Sequence, residues 1–168
     1  SAEQNVLPES TEPPAPEMID FEVKRYAVTA GAAAYLDGAE EQYKALVDAV
    51  CSKKETEPYT DEDAAKRAVE VFAETPYSAL AEVTAKDGAF QIAYTGSGDA
   101  DTFDAAVKAL VESCVYKDAN EAEKALILYR TVASEFAQEG GENGSLYKTV
   151  TEQKGSAEDL ANTLTYLF

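Results

Sequence analysis

The stretch Tyr147-Lys148-Thr149-Val150-Thr151-Glu152-Gln153-Lys154-Gly155-Ser156-Ala157-Glu158-Asp159-Leu160-Ala161, running into the apolar Leu164, Leu167 and Phe168, decides the fold. Gly155 followed by Ser156, with Asp159 three residues on, opens a helix: a serine hydroxyl accepts from a first-turn amide, and an acid faces the positive end of the dipole. Such a terminus suits an anion or a thiolate, and it equally suits an ordinary capped core helix. Working outward, Ser145 caps a short helical turn over Leu146 to Thr151, and Gly140-Gly141-Glu142-Asn143-Gly144 breaks regular structure before it. Asn120, with Glu123 three residues later, starts a strongly periodic helix. Its expected buried stripe is Ala122, Ala125, Leu126, Tyr129, Val132, Ala133 and Phe136, and the helices from Asn120 to Phe168 are expected to form the tightest core.

Further upstream, Ala79 to Ala85 and Ala89 to Thr95 flank Lys86-Asp87-Gly88, where Asp-Gly supplies the backbone angles of a tight hairpin. Asp99, Asp101 and Asp104 begin a helix with the stripe Phe103, Val107, Leu110, Val111 and Cys114. The spacing Asp99-x-Asp101 is not a calcium loop, because Phe103 and Asp104 stand where an oxygen ligand and a glycine belong. Two earlier helices are expected: one from Ala39 with Tyr43, Leu46, Val47, Val50 and Cys51 inward, one capped by Asp61 with Ala65, Ala68, Val69 and Phe72 inward. From Ile19 to Tyr26 the alternation of Ile19, Phe21 and Val23 with charged residues has period two, the mark of a short strand or an extended lead-in. Residues 1–18, with Pro8, Pro13, Pro14 and Pro16 among polar side chains, read as a disordered tether. Residues 19–168 then read as one α+β domain, helix-rich with a β-hairpin.

The chain has 168 residues, 45% of them hydrophobic, enough for one ordinary core. It carries 32 acids against 14 bases, a net charge of −18, which repels phosphate backbones and anionic lipid and argues against nucleic-acid binding. There is no histidine, so Ser-His or Cys-His catalysis and His-containing zinc sites have no residue to use. Cys51 and Cys114 lack CxxC spacing, so no metal knuckle is indicated; buried free thiols and a single long-range disulfide both remain open. No cofactor is indicated. No apolar run approaches the roughly 20 residues needed to span a bilayer.

The run Glu123-Lys124-Ala125-Leu126-Ile127-Leu128-Tyr129-Arg130, then the glycine-rich loop, Ser145-Leu146-Tyr147-Lys148-Thr149-Val150, and Lys154-Gly155-Ser156-Ala157-Glu158-Asp159-Leu160-Ala161 resembles the front half of a bacterial transglutaminase-like domain. The resemblance covers residues 76–168 and is most specific from Glu121 onward. It implies an α+β, papain-like core in which a cysteine at the mouth of the last helix is served by a histidine and an aspartate from a later antiparallel sheet. In this chain Ala157 occupies the nucleophile position, and the segments expected to supply that sheet would lie beyond Phe168. An alanine methyl forms no thiolate, so no catalytic residue is expected. The polar tail following Ser1 resembles that of mature bacterial lipoproteins, which implies an extracellular or surface location and a lipid anchor before residue 1.

Tyrosine-lined grooves bind peptides and sugars in many modules, and Tyr129, Tyr147 and Ser156 are the candidate ligand-binding residues near the last helix. Half-buried core-edge tyrosines and a capping serine are the plainer alternative. The expected function is a non-catalytic, degenerate or truncated transglutaminase-like module, binding or structural. Its partner would be a protein, peptide or cell-wall ligand, with self-association expected if the last helix exposes an apolar face. The alternative is the N-terminal fragment of a Cys-dependent peptidase or acyl transferase whose His and Asp lie beyond residue 168. A carboxylate-pair hydrolase rests only on the abundance of acids.

Overall fold

A computed structural model describes residues 13–168 of the chain, so residues 1–12 of the expected tether lie outside the described residues. From Glu17 the chain runs extended across the domain as a strap. The Ile19 N–H donates to the Val115 carbonyl and the Lys117 N–H to the Glu17 carbonyl, both at 2.9 Å. Beyond this bridge the strap has no strand partner, and side chains satisfy part of its backbone. The Phe21 N–H donates to Glu112 Oε1 at 3.0 Å, and Lys108 Nζ donates to the Phe21 carbonyl at 2.9 Å. Ile19, Phe21 and Val23 face inward and are half-buried against the core, as the alternation requires.

Helices α1 (Ala30–Tyr35), α2 (Glu40–Cys51) and α3 (Glu62–Phe72) follow. Asp61 caps α3 by accepting from the Ala64 N–H at 3.1 Å. Strands β2 (Ala81–Lys86) and β3 (Ala89–Tyr94) form the hairpin, pairing Val83 with Ile92 and Ala85 with Phe90. Its turn needs positive φ at both central residues, which Asp87 (56°) and Gly88 (80°) adopt. A third strand, β1 (Thr56–Pro58), adds antiparallel to β3 and gives the order β1-β3-β2. A proline gives no periodic strand signal, and here it sits on the sheet edge, where its missing N–H costs nothing.

A 3-10 turn over Pro76–Ala79 joins α3 to the hairpin, and α4 (Ala100–Cys114), α5 (Glu121–Glu135), α6 (Leu146–Glu152) and α7 (Ala157–Leu167) complete the domain. Two short segments, β4 (Ala137–Gln138) and β5 (Lys154–Gly155), pair in parallel just ahead of α7. The architecture is α+β and helix-rich, with one small antiparallel sheet and this two-strand ladder among the described residues. One core joins α2, α3, the sheet, α4 and α6 through buried Leu46, Val47, Phe72, Phe90, Phe103, Val107 and Val150. Cys51 and Cys114 are free and half-buried.

Two expectations fail on the C-terminal helices. The tightest packing lies upstream of Asn120: α5 buries only Leu128 and Val132, and α7 only Asp159 and Thr163. The α5 stripe also differs in part from the expected one. Val132 and Phe136 turn inward as expected, but Leu126 is 48% and Tyr129 57% exposed, and Leu128 takes the inward place in the first half of the helix. Ala125 to Leu128 is apolar on every side of one turn, so spacing alone could not select the face; the position of α7 and α4 beside α5 selects it. In urea unfolding, Leu128→Ala is expected to cost about 2–5 kcal/mol and Leu126→Ala less than about 0.5 kcal/mol.

Candidate functional site

The mouth of α7 forms as the sequence implies, and its polar side chains are engaged with one another and with backbone amides. The Ser156 Oγ accepts from the Asp159 N–H at 3.1 Å and donates to Asn143 Oδ1 at 2.6 Å. Asn143 Nδ2 in turn donates to Glu158 Oε2 at 2.7 Å. Asp159 Oδ2 accepts from two backbone amides, those of Ser156 and Gly144, each at 3.0 Å. The result is a capping box that also ties the glycine-rich loop to the helix. Gly155 is required for this closeness: a Cβ there would sit 2.7 Å from Asp159 Cβ and 3.1 Å from Thr149 Oγ1. The amides of Gly144 and Ser156 hold the Asp159 carboxyl below its usual range.

The side chains at this terminus carry no thiol and no free hydroxyl. Ala157 is exposed at the first helical position and carries only a methyl group. The Ser156 hydroxyl faces an amide oxygen, which cannot take its proton as a base would. Glu158 and Asp159 place two acids in the first turn, where they oppose the field an anionic ligand would need.

The three candidate binding residues do not converge. Tyr147 is a core strut, 5% exposed, stacked on Phe103 at 5.7 Å between ring centroids. Its hydroxyl accepts from the Asp99 N–H at 3.2 Å, and it passes so near Gly98 that a Cβ there would lie 2.0 Å from the Tyr147 oxygen. Tyr129 faces solvent from the outer side of α5. Ser156 is spent as a cap.

A different constellation lies where the strap crosses α4 and α7. Arg25 Nε donates to Asp104 Oδ2 at 2.6 Å and its Nη2 to Asp101 Oδ1 at 2.8 Å. The Tyr77 hydroxyl donates to the other Asp104 oxygen at 2.5 Å, and the guanidinium lies 6.0 Å from the Tyr77 ring centroid. Burial acts to lower the Arg25 pKa, but the bonds to Asp104 and Asp101 outweigh it, so the guanidinium stays charged. Burial, then the Asp104 bond, raises the Tyr77 phenol far above its ordinary value; burial pushes Tyr166 up to about 12. Burial also pushes the Cys51 thiol up to about 11 despite the opposing Arg25 charge, which leaves it a poor nucleophile.

Two clefts flank the strap here, of about 600 and 620 Å³, and both are lined by Lys24, Ala27, Tyr166 and Phe168. Sequence reasoning missed this site, although one signal was present. Arg25 continues the inward positions 19, 21 and 23, and a cation on the inward side of an alternating segment needs a buried anion. Asp104 supplies it from α4. Among the described residues no group of three or more His, Cys, Asp or Glu is arranged to hold a metal ion, and no helix is long and apolar enough to cross a membrane.

Compared with known proteins, the chain matches no family model, and no curated protein or solved structure is significantly similar to it.

Removing the Asp159 carboxylate takes the acceptor from two part-buried N–H groups and breaks the capping box, so Asp159→Ala is expected to cost about 0.5–2 kcal/mol at neutral pH. Because the folded pKa is depressed, this contribution is complete above the unfolded value of about 3.9 and is lost as pH falls through the folded one. Urea midpoints of the native chain and the variant should therefore converge on acidification through that window.

Proposed function

We propose that this chain is a non-catalytic binding or structural module related to the front half of the transglutaminase-like superfamily. It would be carried on a secreted or surface-anchored bacterial protein. The relationship rests on the resemblance of Glu121 to Phe168, whose helix order and glycine-led α7 fit that expectation. The non-catalytic reading rests on one observation: at the α7 mouth the side chains that could react are either absent, at Ala157, or bound as caps, at Ser156 and Asp159. Location at a cell surface is supported by the proline-rich, acidic tail alone.

One observation favours the alternative, a fragment of a Cys-dependent acyl transferase. Leu160, Leu164 and Leu167 pack on Leu110, Val132 and Phe136, but Phe168 is 64% exposed, an apolar side chain that a further sheet would cover. The reading frame beyond Phe168 tests it: a strand-rich segment bearing His and then Asp would support that alternative. For the non-catalytic reading, the purified chain is expected to release no ammonia from a glutamine-containing peptide. Turnover abolished by Ser156→Ala would overturn it.

A further inference from the structure

The cleft between the strap, the 3-10 turn and α7 combines a fixed cation with aromatic walls. Arg25, Glu74, Pro76, Tyr77, Tyr166 and Phe168 line it. Its volume, about 600 Å³, falls within the roughly 300–1,000 Å³ of small-ligand sites.

The guanidinium is built into place. Asp104 is itself fixed by the Tyr77 hydroxyl and holds Arg25 Nε, while Asp101 holds Nη2. A guanidinium carries five N–H donors, and among the described residues Nη1 spends neither of its two on a protein acceptor. Arginine oriented by carboxylates presents the remaining edge as a preset fork, the geometry that pairs with a carboxylate. Beside it, Tyr166 keeps its hydroxyl protonated across the neutral range and lines the cleft together with Phe168. Asp104 and Asp101 balance the guanidinium's charge, so what it can offer the cleft is the directed N–H donors of Nη1 and not a net positive field.

We infer that this cleft binds a free carboxylate flanked by an aromatic side chain, the chemistry shared by a peptide C terminus and a free aromatic amino acid. The carboxylate meets Arg25, and the ring lies against Tyr166, Pro76 and Phe168. Glu74 lines the same cleft and supplies the acid that a free ammonium group would face. This inference deepens the reading of the chain as a binding module and names its ligand class.

The test is an amide-detected NMR titration of the chain with N-acetyl-alanyl-phenylalanine, its C-terminal amide, and free phenylalanine. The acid should shift resonances of Tyr77, Asn162 and Tyr166, and the amide should bind at least about tenfold more weakly. Stronger binding of the acetylated acid assigns the site to peptide ends, and stronger binding of phenylalanine assigns it to the free amino acid. Arg25→Gln should weaken the acid by a similar factor and leave the amide unchanged. Since Arg25 also pins the strap, Tyr166→Leu serves as a second variant and should weaken acid and amide alike. Equal binding of acid and amide to the native chain, or no shifts with any of the three, would overturn the inference. Ammonia release would defeat the non-catalytic reading without touching this result, and failure to bind would leave that reading standing.

Discussion

Phe103 is the contact through which the second half of the molecule is joined to the first. Its ring, fully buried on α4, meets Tyr77 edge-on at 5.8 Å, stacks on Tyr147 at 5.7 Å and tilts against Tyr166 at 5.7 Å. Those partners belong to the 3-10 turn, α6 and α7, so one side chain fixes three elements that share no sheet. Each tyrosine brings a hydroxyl into the interior, and a buried hydroxyl must find a partner. Tyr77 takes Asp104 and Tyr147 takes the Asp99 amide, which ties the aromatic cluster to the start of α4. The constraint then spreads outward: Asp104, bound by Tyr77, holds Arg25, and Arg25 holds the strap.

The large excess of acid is compatible with a stable fold because of where the acids sit. Asp61, Asp99 and Asp159 cap or box helix starts, and Glu40, Glu41, Glu62, Asp63, Glu121, Glu123 and Glu158 occupy first turns. At those places a negative charge meets free amides and the positive end of a dipole, so it stabilises the helix while adding to the net charge. Five of the eleven ion pairs among the described residues are local i,i+3 or i,i+4 pairs at the surface, each contributing little. Arg25 is different. It bridges two acids that both belong to a distant segment, α4.

Local chemistry was the legible part of this sequence. Helix starts at Asp61, Asp99, Asn120, Ser145 and Ser156 are visible because a cap is a relation between neighbours in the chain, and the Asp87-Gly88 turn is visible for the same reason. Which side of α5 is buried was not legible, because Ala125 to Leu128 satisfies several stripes and only packing against α4 and α7 chooses among them. β1 escaped notice because three residues ending in proline carry no period, and it exists only because β3 offers an unpaired edge. The cleft at Arg25 depends on contacts separated by 76 and 79 residues, which no local pattern reports. Ser156, Tyr147 and Tyr129 are near one another in sequence, yet helix rotation and core packing send them to a cap, an interior strut and a solvent face.

Capping and catalysis make opposite demands on the start of a helix. A nucleophile there works because first-turn amides and the dipole are left free to stabilise developing negative charge, and because nothing nearby holds the reacting group in place of the substrate. In this chain Asp159 draws the Ser156 and Gly144 amides to itself, Ser156 draws the Asp159 amide, and Asn143 closes over the hydroxyl with its side chain. Gly155, which a reactive terminus would use to let substrate approach, is filled to contact by Asp159 and Thr149. Releasing Asp159 from the Ser156 and Gly144 amides would cost the part-buried hydrogen bonds that tie the glycine-rich loop to α7.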